Sequence, residues 1–244
     1  MITKNAIFNR SLPKEYISCL KKKLPNVSFF EFDGIYVDTK KHVYKSILSH
    51  PDIYFFKINN NIVYAPGIKN EVIKKMKCLS SIEFIKGNDT PYGIYPNTAL
   101  YNAICIDKFV VHNLNYTDFF IKKVSEKNNK SLIHVNQGYA NCSSLVFENK
   151  KAVITTDVGI AKKLKTLYID VLLLSSFEIL LPGEKYGFIG GCSTVMDNGD
   201  VIFIGDINLH SQNKEIKCFF KKFGVKYIVL ENLPLYDAGG IVFF

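Results

Sequence analysis

Gln137-Gly138-Tyr139-Ala140-Asn141-Cys142-Ser143-Ser144-Leu145-Val146-Phe147 runs a glycine-containing turn into a cysteine and then into a short apolar strand. Four other stretches have the same shape: Ser49-His50-Pro51-Asp52, Tyr95-Pro96-Asn97, Gly190-Gly191-Cys192-Ser193 and Leu235-Tyr236-Asp237. Each places a polar residue or a thiol at the mouth of the strand: Asp52, Asn97, Cys142, Cys192 and Asp237. These positions are spaced 45, 45, 50 and 45 residues apart. A fixed period of that size points to repeated supersecondary units.

The unit beginning at Asn141 shows what repeats. Leu145-Val146-Phe147 reads as a first strand, Glu148 to Lys151 as a hairpin turn, and Ala152 to Thr155 as a second strand. Asp157 is placed to cap a helix over Val158 to Thr166, since its carboxylate can accept free amide protons of the first turn. Asp170 to Leu174 then reads as a buried third strand. The same β-β-α-β order is expected from first strands at Ile53 to Phe56, Leu100 to Ile104 and Thr194 to Met196. The fifth unit is divided: Ile241 to Phe244 supplies its first strand, and Ala6 to Asn9, a helix from Pro13 to Lys23, and Val27 to Phe30 supply the rest. The expected fold is therefore α/β, a five-fold pseudosymmetric propeller in a single domain. Its units are about 50–94, 95–139, 140–187, 188–234, and 235–244 joined to 1–49. Strand pairs between helices argue against a doubly wound sheet, which would show single strands. The inserts Glu31 to Ser49 and Ser175 to Gly187 break the period and are expected to overhang the centre.

The 244 residues, 48% of them hydrophobic, describe a globular chain with ample core. No apolar run reaches the roughly 20 residues needed to span a bilayer. The first residues lack a signal-peptide stretch, so a cytoplasmic protein without membrane partners is expected. Six scattered cysteines without a CxxC pair suit free thiols in a reducing compartment. The net charge of +9 invites an anionic partner. Yet its short clusters, Lys21 to Lys23 and Lys162 to Lys165, fall on expected helices, and Arg10 is the chain's single arginine, so no DNA partner is expected. No metal-ligand spacing or nucleotide fingerprint occurs, and no cofactor is expected.

Five β-β-α-β units joined through the chain ends resemble the pentein fold of the guanidino-group-modifying enzymes, namely arginine and agmatine deiminases, dimethylarginine hydrolase and amidinotransferases. Three short motifs resemble theirs in the same cyclic order: Asp237-Ala238-Gly239-Gly240, with Asp where the family has Glu; His50-Pro51-Asp52; and Gly138-Tyr139-Ala140-Asn141-Cys142. The chain thus resembles a circularly permuted, bacterial branch of that superfamily. The resemblance implies a nucleophilic Cys142, with His50 as acid and base and Asp52 and Asp237 as the clamp on a small guanidine or amidine. Cys192, Asn97, Asn141 and His134 are implied as substrate-binding or alternative residues, and Cys192 competes for the role of nucleophile.

The chemistry has plain requirements. A guanidinium is a planar cation whose forked donors match carboxylates. A thiolate is the nucleophilic form of cysteine. Water as the final acceptor gives a hydrolase, and an amine gives an amidinotransferase. The bland readings stand beside these. Cys19, Cys78, Cys105 and Cys218 read as inert residues in apolar patterns, and Asp at a turn commonly caps it. The second hypothesis is a non-catalytic binding protein of the same fold, taking a small ligand or RNA, as the ribosome anti-association factors resemble the fold without its active site.

Overall fold

A computed structural model describes residues 4–35, 42–175 and 178–244. In chain order it contains β1 (Lys4–Asn9), α1 (Lys14–Lys23), β2 (Val27–Phe32), β3 (Phe55–Ile58), β4 (Asn61–Tyr64), α2 (Asn70–Leu79) and β5 (Glu83–Lys86). There follow β6 (Ile104–Ile106), β7 (Phe109–His112), α3 (Phe119–Lys127), β8 (Ser131–His134), β9 (Ser144–Phe147), β10 (Ala152–Thr155), α4 (Val158–Lys165) and β11 (Asp170–Leu173). The last elements are β12 (Ser193–Val195), β13 (Val201–Phe203), α5 (Asn213–Phe223), β14 (Tyr227–Ile228) and β15 (Ile241–Phe243).

The strands form five three-stranded sheets of one pattern. A middle strand pairs antiparallel with the first strand and parallel with the third, as β10 does with β9 and β11. The hairpin can be short because antiparallel neighbours need only a turn, whereas the parallel pair needs a helical crossover. Four hairpins turn through a residue of positive φ: Asn59, Asp107, Lys151 and Gly199. That conformation matches the twist of the flanking strands and suits Asn, Asp and Gly best. Asp157 caps α4 by accepting from the Ile160 N–H at 2.7 Å, and Asp118 caps α3 through Phe120 at 2.8 Å.

The fifth sheet takes strands from both ends of the sequence. β1 pairs antiparallel with β15, with Ile7 opposite Val242, and parallel with β2. Middle strands are sealed from water: Ala152, Val153 and Ile154 are fully buried, as are Val201, Ile202 and Phe203. A strand covered on both faces has no polar side, so these runs are apolar without alternation. Among the first strands, β6 packs on β9, β9 on β12 and β12 on β15.

Three expectations need correction. The first strands of two units begin later than alternation suggests. Pro51–Ile53 forms a 3₁₀ turn before β3, and Leu100 and Tyr101 lie in a turn before β6, closed by the Asn102 N–H on the Ala99 carbonyl at 3.1 Å. The strand expected to be buried over Asp170 to Leu174 is a half-exposed sheet edge, β11, and only Leu174 beyond it is sealed. Cys78 and Cys218 are exposed on their helices rather than packed in the core.

Candidate active site

The residues just before the first strands are stitched to one another. Asn102 Nδ2 donates to the Asp52 carbonyl at 3.1 Å, and the Asn102 carbonyl accepts from Asn141 N–H at 3.0 Å. The Cys142 carbonyl accepts from Gly190 and Gly191 at 2.7 and 3.1 Å. The Gly191 carbonyl accepts from Ala238 and Gly240 at 3.0 and 2.8 Å, and the Gly239 carbonyl from Asp52 N–H at 3.3 Å. All five turns thus join in a closed circuit of hydrogen bonds, made almost wholly of backbone groups.

The circuit brings Cys142, His50, Asp52 and Asp237 together, each no more than 5% exposed. The Cys142 thiol donates to Asp52 Oδ2 at 2.8 Å and accepts from Asn102 Nδ2 at 3.0 Å. Asn102 Oδ1 takes the Cys142 N–H at 2.9 Å, so one amide side chain fixes both the backbone and the sulfur of the cysteine. Asp237 is held by the N–H groups of Phe188 at 2.8 Å and Gly239 at 3.1 Å. His50 Nδ1 stands 3.6 Å from Asp237 Oδ1, within ion-pair reach but beyond a hydrogen bond. Asp52 Oδ1 and His50 Nδ1 are both buried without a hydrogen-bond partner among the described residues.

Glycines permit this crowding. A Cβ on Gly191 would stand 1.9 Å from Asp237 Oδ1, and one on Gly239, where φ is +71°, would stand 2.4 Å from the His50 Cβ. Burial sets the charge state. Desolvation lifts Asp52 to about 6 against the hydrogen bonds from Cys142, Asn102 and Asn141. Desolvation and the neighbouring Asp52 charge lift Asp237 to about 7. Burial lowers His50 to about 3, and the Asp237 contact is too long to offset it. The thiol of Cys142 is pushed well up by desolvation, then by the charges of Asp52 and Asp237. The resting group is a neutral thiol and neutral imidazole between two carboxyls that titrate close to neutrality.

The remaining sequence candidates divide. Asn141 belongs to the group: its N–H bonds the Asn102 carbonyl at 3.0 Å, it lines the same cavity as Asp52, and its side chain lowers the Asp52 value. Cys192 is fully buried in an apolar cluster with Leu145 and Phe203, and its thiol donates to the Ile189 carbonyl at 3.3 Å, although it feels the Asp237 charge. Asn97 sits in an outer turn where its N–H bonds Ile94, and the inward position it was expected to fill belongs to Asn102. His134 is exposed at the end of edge strand β8 and accepts from Leu114 N–H at 3.2 Å, away from the thiol. Asn102 escaped the sequence reading because it lies inside the run taken for a strand. Counting back from the true strand starts would have found it, since Asn102 and Cys142 each stand two residues before Ile104 and Ser144.

The described parts of both inserts roof the group. The Tyr44 and Tyr139 hydroxyls lie 3.2 Å apart, Ser46 donates to Glu184 at 2.7 Å, and the Leu180 carbonyl accepts from Asp237 N–H at 2.8 Å. Residues 36–41 and 176–177 of these inserts lie outside the described residues. On the opposite side, a cavity of about 640 Å³ runs between the first strands and is lined by Asp52 and Asn141 but by neither Cys142 nor His50.

A family of unknown function, DUF6873, matches residues 12–242. The chain belongs to this family. No curated protein sequence matches it. Among solved structures, the DUF6873 chain is similar to DDAH from Pseudomonas aeruginosa, in a Cys-to-Ser mutant complexed with citrulline, at 6% identity and a TM-score of 0.57 over 100% of both chains. It is also similar to SxtG, an amidinotransferase from Microseira wollei in the saxitoxin biosynthetic pathway, at 12% identity and a TM-score of 0.52, covering 94% of this chain and 81% of that one. A dimethylarginine dimethylaminohydrolase adduct with 4-chloro-2-hydroxymethylpyridine matches at 8% identity and a TM-score of 0.51, over 93% and 92%. This DUF6873 member therefore has the pentein fold that its motifs resemble.

Proposed function

We propose that this DUF6873 protein is a cysteine-dependent enzyme acting on a small guanidino or amidino compound, as hydrolase or amidinotransferase, through a covalent thiouronium on Cys142. One observation carries the reading. Two fully buried carboxylates, Asp52 and Asp237, flank a thiol and a histidine, and among the described residues neither pairs with a lysine or arginine. Buried carboxylates without a cation are costly, and a planar guanidinium supplies the missing charge with donors of matching geometry.

A bound cation holds both carboxylates ionised and favours the thiolate. Sulfur then bonds to the central carbon while the thiol proton passes through Asp52 or His50 to the departing nitrogen, whose bond to carbon breaks. His50 next takes a proton from water as the water oxygen bonds to the thiouronium carbon, and the C–S bond breaks to restore the thiol. The sum is a guanidinium and water giving a urea and an ammonium. An amine in place of water gives amidino transfer. The hydrogen-bond circuit supports reading the five sheets as a closed pseudo-fivefold ring, and the free thiol suits a cytoplasmic enzyme.

The test is labelling with 2-chloroacetamidine followed by peptide mass mapping. Modification is expected at Cys142, lost in Cys142→Ser and kept in Cys192→Ser. Modification confined to Cys192 would move the nucleophile, and none at all, with salt-sensitive RNA binding instead, would favour the non-catalytic reading.

A further inference from the structure

The turn that carries Cys142 also carries Tyr139, and Tyr139 begins a file of aromatic side chains leading away from the thiol. Tyr139 stands three residues before Cys142 in the same turn, where its carbonyl accepts from Ser143 N–H at 3.1 Å, and its hydroxyl meets that of Tyr44 in the roof at 3.2 Å. The Tyr139 ring meets Tyr95 at 5.5 Å between centroids, and Tyr95 meets Tyr116 at 5.9 Å in an edge-on contact. Gly138 makes room for this file, since a Cβ there would lie 2.7 Å from the Tyr95 ring. The outer end is open: Tyr95 is 41% exposed and the adjacent Ile94 71%. Rings thus run in contact from the turn that carries Cys142 to the exterior, with the geometry in which rings attract one another.

The charges point the same way. The chain's single arginine, Arg10, pairs with Glu31 at 3.7 Å and Asp33 at 3.8 Å beyond the end of β1, so no guanidinium remains to grip a substrate carboxylate bidentately. In the described roof the lysines Lys45 and Lys185 are exposed, and Glu184 adds a negative charge felt by Tyr44. A tail carrying an α-carboxylate would meet single point charges of both signs and no forked donor, whereas a flat uncharged tail would meet rings.

We propose, resting on the reading that Cys142 attacks an amidine carbon, that Tyr139, Tyr95 and Tyr116 bind the tail of the substrate and that this tail is aromatic. The substrate class is then arylalkyl guanidines or amidines rather than α-amino acids. Three covalent probes test it: 2-chloroacetamidine, its N-phenethyl derivative, and the derivative carried on the side-chain nitrogen of ornithine. The second-order rate of Cys142 modification should be about tenfold higher for the phenethyl probe than for the parent, the worth of one or two ring contacts, and no higher for the ornithine probe. In Tyr95→Ala the phenethyl-to-parent ratio should fall to about one, and Tyr95→Phe should restore it. If the parent modifies Cys142 but the phenethyl probe shows no advantage, or Tyr95→Ala keeps the ratio, this inference alone falls. If the parent leaves Cys142 untouched, the catalytic reading falls and this inference with it.

Discussion

Asp52 illustrates how burying one side chain ties stability to pH. Its folded-state value near 6, and that of Asp237 near 7, stand above the ordinary 3.8. The folded protein therefore holds more protons than the unfolded chain between about pH 4 and 7, and these two groups make stability fall as pH rises through that window. His50 and His112, lowered by burial to about 3 and 4, act oppositely: stability is lost as pH drops below about 6.5, where only the unfolded histidines charge. Asp52→Asn should thus stabilise the ligand-free protein at pH 8, on the order of 2 kcal/mol, with the gain vanishing near pH 4. Thermal melts across pH check this, and a constant difference would refute the assigned ionisation. A cationic probe needs the carboxylates ionised, so modification of Cys142 by 2-chloroacetamidine should rise through pH 6–7. A neutral alkylating agent should show no step there. Asn102→Ala strands the Cys142 N–H in a dry site, at a cost of about 1–3 kcal/mol, readable by urea unfolding.

At the scale of single elements, the sequence was legible where local chemistry decides structure. The hairpin at Asn198-Gly199, the apolar run Ala152 to Thr155 and the cap at Asp157 all rest on near-neighbour effects, and each is found at or within a residue of its expected place. The positions of Asp52 and Cys142 followed from the repeat. What could not be read was the phase of the turns, because the loops before β3 and β6 differ in length and a fixed 45-residue step picks Asn97 instead of Asn102. Helix capping and packing at the turns can be tested separately. Asp157→Ala should lower stability by about 1 kcal/mol without altering Cys142 labelling, measured by denaturant titration and mass mapping on the same sample. Gly191→Ala should abolish labelling, since the added methyl would occupy the place of the Asp237 carboxylate. Retained labelling would show that the turn can yield.

For the molecule as a whole, β1 and β15 lie side by side, and the Phe244 N–H bonds the Asn5 carbonyl at 3.0 Å. Joining residue 244 to residue 1 by a short glycine-serine linker and opening the chain between Asn128 and Asn129, after α3, should give a folded permutant that still labels at Cys142. Circular dichroism and labelling together would expose failure of either part. The hydrogen-bond circuit has a further consequence for local opening. Three of its bonds, from Ala238 and Gly240 to the Gly191 carbonyl and from Asp52 to the Gly239 carbonyl, are made by the one turn that follows Asp237. Opening that turn frees both of its junctions and withdraws Asp237 from His50 in the same movement. The group is therefore taken apart as one cooperative unit rather than piece by piece.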